Sequence, residues 1–367
     1  MRFAQFTIEV DDPCLGSYRV EARNFFLACY LASLAQGDTI LGGAIRYTTM
    51  KQYLKAACKL FKDRKLSTYA HDSPDFVRII LDAVKNYEKV PNRRNMITDE
   101  MMIWLLSQST NPSTSDDATT AIVDWIILGR YTGFRKSEWC QSTLTKFEKI
   151  TEWPGHPALA FVATDFVLMG PGQQRITITS DTTYTKIIQL VEFVEIQWRK
   201  QKNNDNGQKI PFARDHANPT TCPVLAAVRI IIRASRLGVA SDTPIGVFNH
   251  KGQTRFITDT KVQHLLRTAA KTTMGISDEK EILKWSTHSI RVTAANLLHR
   301  EKFSDSFIQN RLRWKSQSFL MYLRNTIYSA SAHTKSLALS NSNLPPLAER
   351  SYREPEPHES LLPQPNA

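Results

Sequence analysis

Along the first part of the chain, apolar residues recur at helical spacing. Asn24 to Leu34 is apolar and small. Between Tyr47 and Phe61, the residues Tyr53, Leu54, Ala57, Leu60 and Phe61 fall on one face, which predicts an amphipathic helix. Lys51, Lys55, Lys59 and Lys62 recur at three- and four-residue spacing on another face of it. Asp75 to Tyr87 predicts a further helix. Pro91-Asn92-Arg93-Arg94-Asn95 then interrupts the pattern as a polar, basic linker. A domain boundary is expected there, with a helical domain over residues 1–92 and a second domain over 96–330.

Beyond the linker the period changes more than once. Thr98 followed by Asp99 and Glu100 reads as a cap and a negative first turn, opening a helix through Leu106. Asn111 to Asp116 is a loop of turn residues, and a helix runs from Asp117 to Tyr131, stopping near Gly133. Arg135 opens another helix toward Gln141 and so sits at a helix–helix junction. Residues 159–214 read as strands. Arg175 to Thr179 alternates, and Val194, Ile196 and Trp198 alternate with Glu195, Gln197 and Arg199. Asn203 to Gly207 is a strong turn signal before Lys209-Ile210-Pro211-Phe212, which gives a hairpin with Lys200 and Lys202 near its tip. Pro223 to Leu237 predicts a helix with Thr221 as its cap and Gly238 after its end. Helices are also expected over Thr258–Thr273, Thr287–Leu298, Ser304–Leu312 and Ser316–Ser329. From Ala332 to Ala367, Ser, Asn, Pro and Glu dominate, the composition of a disordered tail.

Composition narrows the function classes. The 367 residues suit two domains better than one and are ample for a buried core. No run of eighteen apolar residues appears, so no membrane span is expected. The N-terminal stretch soon meets Asp11 and Asp12, unlike a secretory signal. Five scattered cysteines, with no CxxC or Cys/His cluster, support neither a disulfide framework nor a zinc site and point to a reducing compartment. A formal net charge of +12 favours a polyanionic partner. The lysine helix sharpens this, because Arg46 to Lys65 holds seven basic residues and one acid, Asp63. Like charges along that face repel one another, and a phosphate backbone would relieve them.

Several residues fit phosphodiester chemistry. Such chemistry needs a nucleophile, charge on the non-bridging oxygens and a proton for the leaving oxygen. Arg135 and Arg291 offer a planar fork that stays charged. His288, three residues before Arg291, shares its helical turn and exchanges protons near neutral pH. Trp314 carries an indole N–H donor. Lys202 could act as an acid from a hairpin tip, and Tyr322 could form a phosphotyrosine. Taken singly, each has an ordinary reading: Arg135 with Glu138 as a surface pair, Trp314 and Tyr322 as core aromatics. Their order and spacing together do not.

Thr132-Gly133-Phe134-Arg135-Lys136-Ser137-Glu138 resembles the Thr-Gly-x-Arg-x-Ser-Glu box of the tyrosine recombinase (phage-integrase-like) family. His288-Ser289-Ile290-Arg291 resembles its His-x-x-Arg box, and Trp314 and Tyr322 match the His/Trp and nucleophile positions. The stretch Trp314 to Arg324 is similar to eukaryotic mobile-element recombinases of the Crypton and DIRS type. Two departures stand out. Leu312-Arg313 replaces the usual glycine, and Trp314 and Tyr322 are eight residues apart where many bacterial members show nine. Lys200 and Lys209 compete with Lys202 for the lysine position, and Tyr328 competes with Tyr322.

The resemblance implies a helical core-binding domain and a mixed α/β catalytic domain, mainly helical with a small antiparallel sheet, clamping double-stranded DNA. Arg135, His288, Arg291 and Trp314 would hold the scissile phosphate, and Tyr322 would attack it, leaving a 3′-phosphotyrosine and a free 5′ hydroxyl. Lys202 would protonate the leaving oxygen, and Glu138 would orient the site without touching DNA. Lys51, Lys55, Lys59 and Lys62 would bind the backbone. The resemblance further implies no cofactor, metal or ATP, a homotetramer on DNA, and action in the nucleus if the host is eukaryotic, or otherwise in the cytoplasm. Two other readings stay open: a type IB topoisomerase-like enzyme, and a mobile-element-derived DNA-binding protein that no longer recombines.

Overall fold

A computed structural model describes residue 12 and residues 15–37, 45–67, 76–87, 93–111, 115–141, 160–178, 183–199, 206–314 and 317–323. The chain divides into two units, Met1–Asn92 and Arg93–Ala367.

The first unit contains α1 (Val20–Gln36), α2 (Tyr47–Asp63) and α3 (Phe76–Tyr87). Leu27 and Leu31 of α1, Met50, Leu54, Ala57 and Phe61 of α2, and Val77 and Leu81 of α3 bury one another in a single core. The apolar face of α2 is therefore its packing face, and removing it from water is what stabilises the helix. Lys51, Lys55, Lys59 and Lys62 are exposed on the same helix. None of the four forms an ion pair among the described residues; the Lys51 ammonium lies 5.6 Å from the centre of the Tyr47 ring.

The second unit runs α4 (Asp99–Gln108), α5 (Ala118–Thr132), α6 (Lys136–Trp139), β1 (Phe166–Met169), β2 (Arg175–Ile176), α7 (Tyr184–Leu190), β3 (Phe193–Trp198), β4 (Gln208–Ala213) and α8 (Pro223–Arg236). It continues with β5 (Val247–His250), β6 (Gln253–Phe256), α9 (Asp259–Met274), α10 (Glu279–Ile282), α11 (Thr287–Arg300) and α12 (Asp305–Arg311). It is mainly helical with a small antiparallel sheet of order β2-β1-β3-β4. Val194, Ile196 and Trp198 point into the core from β3, with Ile196 registered against Phe166 and Ile210.

Helix α5 is the centre of this unit. It starts at Asp117, whose carboxylate accepts the Thr120 N–H at 2.9 Å, and stops at Gly133 in the left-handed region. Every residue from Thr120 to Gly129 is buried, because α8 packs on one side and α11 on another. Within the α5–α8 contact, buried Asp124 accepts from Arg229 and Arg233, each at 2.5 Å. Toward α11 the contact is closer still: a Cβ on Gly129 would lie 2.4 Å from Ile290 Cγ2. That approach sets the distance between the end of α5 and the start of α11.

Some sequence expectations change. Residues 159–214 are not all strand, since α7 lies among them, and the Arg175–Thr179 alternation yields only β2 among the described residues. The helix from Arg135 toward Gln141 is the single turn α6, with Arg135 as its N-cap. Helix α8 has Cys222, not Thr221, at its N-cap. Within the helix expected over Ser316–Ser329, Gln317–Met321 form a 3₁₀ turn followed by Tyr322; Ser316 and the residues beyond Leu323, and with them the rest of that helix and the expected tail, lie outside the described residues. No helix among the described residues is long and apolar enough to cross a membrane.

Candidate active site

Gly133 adopts φ 58°, and its turn directs the chain out of α5 and into α6. Arg135 therefore stands at the N-terminus of α6. Glu138 reaches back from the first turn of that helix and accepts the Arg135 backbone N–H at 2.9 Å. Its other oxygen accepts from Arg135 Nη1 at 3.2 Å. This is the backward half of a capping box. The Glu138 side chain is only 5% exposed against 22% for Arg135, so the pair is not a surface pair. Two further donors reach the same carboxylate: Arg313 Nη2 at 3.1 Å and Trp198 Nε1 at 3.4 Å.

Arg291 lies on the second turn of α11 and is buried. Its guanidinium donates to the Gly133 carbonyl and, at 2.6 Å, to the Leu312 carbonyl. Arg135 Nη2 donates to the next carbonyl, that of Arg313, at 3.3 Å. Consecutive carbonyls of one turn thus hold the two arginines. Arg313 forms that turn at φ 59°, in the left-handed region where glycine is favoured. The Trp314 ring covers Arg291, 4.2 Å from guanidinium carbon to ring centre.

Positive charge is in excess here. Arg135, Arg291 and Arg313 gather around one carboxylate, Glu138, which leaves two guanidinium charges uncompensated. Burial first, and then Arg313 and Arg135, lower Arg291 to about 9. Arg291 is still charged at neutral pH, but the surroundings disfavour its charge, and an anion would reverse that. The Trp314 indole N–H adds an unused donor: it is buried and has no acceptor among the described residues.

His288 sits one turn before Arg291. Burial, followed by Arg291 and Arg94, depresses its pKa to about 4, so the imidazole is neutral at pH 7. Its ring centre is 5.1 Å from that of Tyr322, which in turn is 5.2 Å from Trp314. Two contacts fix the tyrosine. Its carbonyl accepts from Asn296 Nδ2 at 2.8 Å, and its N–H donates to the Phe319 carbonyl at 2.8 Å. Phe319 is fully buried with Ala294, Ala295, Ile308 and Leu312, which anchors the turn.

Arg135, Glu138, His288, Arg291, Trp314 and Tyr322 are thus brought together, from both ends of the second unit's sequence. Lys202, its rival Lys200, and Tyr328 lie outside the described residues. Lys209 pairs with Glu195 at 3.3 Å, on the sheet face opposite Trp198. Lys51, Lys55, Lys59 and Lys62 belong to the first unit. Sequence reasoning missed Arg313, Trp198, Asn296 and Phe319. Arg313 had a signal, because it stands where a glycine was expected. Chemically, the cluster offers guanidinium and indole donors for an anion with several oxygens, a neutral imidazole for a proton, and a phenol. Among the described residues, no group of three His, Cys, Asp or Glu could hold a metal ion.

No family model matches the chain, and no curated protein matches it. Solved structures similar to it include the XerH site-specific recombinase bound to difH substrate in a pre-cleavage complex, at 15% identity and a TM-score of 0.46, covering 92% of this chain and 76% of that one. The Tn1549 transposon integrase in complex with transposon right end DNA is similar at 14% identity and a TM-score of 0.44, covering 86% of this chain and 85% of the integrase. The XerA recombinase is similar at 14% identity and a TM-score of 0.36, covering 91% and 96%.

Proposed function

We propose that the chain is a DNA strand-breaking and rejoining enzyme, a site-specific recombinase or integrase that works through a 3′-phosphotyrosine. One observation carries the reading: the cation-rich cluster of Arg135, Arg291 and Arg313 lies beside Tyr322, a neutral His288 and the indole N–H of Trp314, which has no acceptor among the described residues. A scissile phosphate supplies the missing negative charge and accepts the unused hydrogen bonds.

In this mechanism the Tyr322 phenol attacks phosphorus. The new bond is phosphorus to tyrosine oxygen, and the bond broken is phosphorus to the 5′ oxygen. His288, neutral at pH 7, takes the phenolic proton, and Lys202 gives a proton to the leaving 5′ oxygen. Arg135 and Arg291 hold the non-bridging oxygens while charge builds on them. In the reverse step a 5′ hydroxyl attacks the phosphotyrosine. The linkage conserves the phosphodiester energy, so neither ATP nor a metal is required. Strand exchange on double-stranded DNA needs two such sites per duplex and fits a homotetramer. The finer placement among Crypton- and DIRS-type mobile-element recombinases, with action in the nucleus, rests on the motif at Trp314 to Arg324.

The test is a denaturing gel with nicked suicide duplexes from a random-sequence pool. Wild-type protein should form a covalent adduct in the presence of EDTA. Tyr322→Phe should bind DNA but form none, and Tyr328→Phe should form it normally. Adduct absent from Tyr328→Phe instead, or strict dependence on a divalent metal, would refute this assignment.

A further inference from the structure

We infer that Arg313 is a positioning residue that keeps Arg135 available to a phosphate by sharing the Glu138 carboxylate. The inference rests on the recombinase reading above, in which Arg135 contacts the phosphate.

Four contacts of Arg313 support it. Its Nη2 donates to Glu138 at 3.1 Å, its Nη1 donates to the Thr132 carbonyl at 3.1 Å, and its guanidinium carbon lies 4.0 Å from the centre of a Trp198 ring. Its own carbonyl accepts from Arg135. The residue therefore holds Arg135 by two routes, directly through its backbone and indirectly through Glu138. Its side chain is wholly buried, with the guanidinium already engaged by Glu138, the Thr132 carbonyl and the Trp198 ring.

The charge balance gives this arrangement a consequence. Without Arg313, Glu138 would face Arg135 as its main cation, and the pair would be neutral. A phosphate would then compete with Glu138 for Arg135. With Arg313 present, the carboxylate is already offset, and Arg135 keeps an effective charge for the substrate. The left-handed backbone at φ 59° allows a clean separation of side chain from turn. Glycine suits that conformation better than any other residue, so Arg313→Gly removes the guanidinium while retaining the turn and its two carbonyls.

The experiment measures single-turnover adduct formation at saturating nicked DNA, alongside DNA affinity. Arg313→Gly should slow adduct formation about tenfold to a hundredfold, the range expected when a catalytic group is slightly misplaced, with affinity unchanged. Arg313→Lys, which restores the charge, should recover most of the rate. Adding Glu138→Gln to Arg313→Gly should also recover part of it, because Arg135 is then released. A purely structural residue gives the opposite pattern, with Lys no better than Gly and the double variant slower still; that result, or a wild-type rate in Arg313→Gly, overturns the inference. A wild-type protein that forms no adduct at all would instead overturn the recombinase reading. The DNA-free protein tests the ion pair independently: the effects of Arg313→Gly and Glu138→Gln on melting should be non-additive, and strict additivity would also overturn the inference.

Discussion

His288 is neutral at pH 7 because its ring is buried beside cations, and this has a measurable cost. The unfolded chain takes up the imidazole proton near pH 6.5, whereas the folded protein takes it up only near 4. Between those values the unfolded state binds more protons, so stability falls as pH falls through the window; above about 6.5 the contribution is constant. The full shift corresponds to roughly 3 kcal/mol. Wild-type protein should therefore lose more melting temperature between pH 7 and pH 4 than His288→Gln, whose side chain does not titrate. Parallel curves would show that the ring is solvated. At this scale much of the site was legible, because His288, Arg291, Trp314 and Tyr322 lie close in sequence and in a telling order. Arg313 stood out only as a replaced glycine and its role was not legible, since its partner Glu138 is 175 residues away and its neighbour Trp198 reads as an ordinary strand residue. Only the tertiary fold gives such a residue its meaning.

Between elements, the α5–α11 contact decides whether the two arginine boxes meet. Gly129→Ala would place a methyl 2.4 Å from Ile290 Cγ2, and Ile290 adjoins Arg291. The helices must part, at an overpacking cost of about 1–3 kcal/mol. The urea midpoint should fall with an unchanged slope, and adduct formation should slow as Arg291 moves relative to Gly133. An unchanged midpoint would mean that the helices yield freely there and that their approach does not set the site. The long helices were legible from periodicity and caps: Asp117 and Gly133 bound α5 as their residue types imply. The hairpin of β5 and β6 was not, because its strands are short and β6 is mostly exposed, which leaves no alternation to detect. The residues Gln317 to Tyr322 were read as part of a long helix for a different reason. Their spacing suits a helix, but Phe319 is anchored against Ala295 and Ile308, and Asn296 holds the Tyr322 carbonyl, so the chain takes a tight turn there.

Across the whole molecule, the net charge of +12 calls for a partner that is itself strongly charged, and the two units carry basic groups of different kinds. In the second unit, Arg291 and Arg313 are buried and Arg135 is half-buried, and all three are geometrically fixed around Glu138. In the first, Lys51, Lys55, Lys59 and Lys62 are exposed on α2 without an ion pair among the described residues. Flexible exposed lysines of this kind suit a phosphate backbone rather than one atom of it. Changing all four to Gln should weaken binding to every DNA sequence alike. It should also flatten the dependence of log K on log salt by up to about 0.9 for each phosphate that is no longer neutralised. The core of the first unit should be unaffected, because its packing uses Met50, Leu54, Ala57 and Phe61 on the other face. Adduct formation should persist once protein saturates the DNA, since the lysines belong to neither the phosphate clamp nor the nucleophile. Measured together, the salt slope and the saturated rate separate the two basic sets: a changed slope with an intact rate assigns the stripe to affinity alone. An unchanged slope would make the stripe solvated surface.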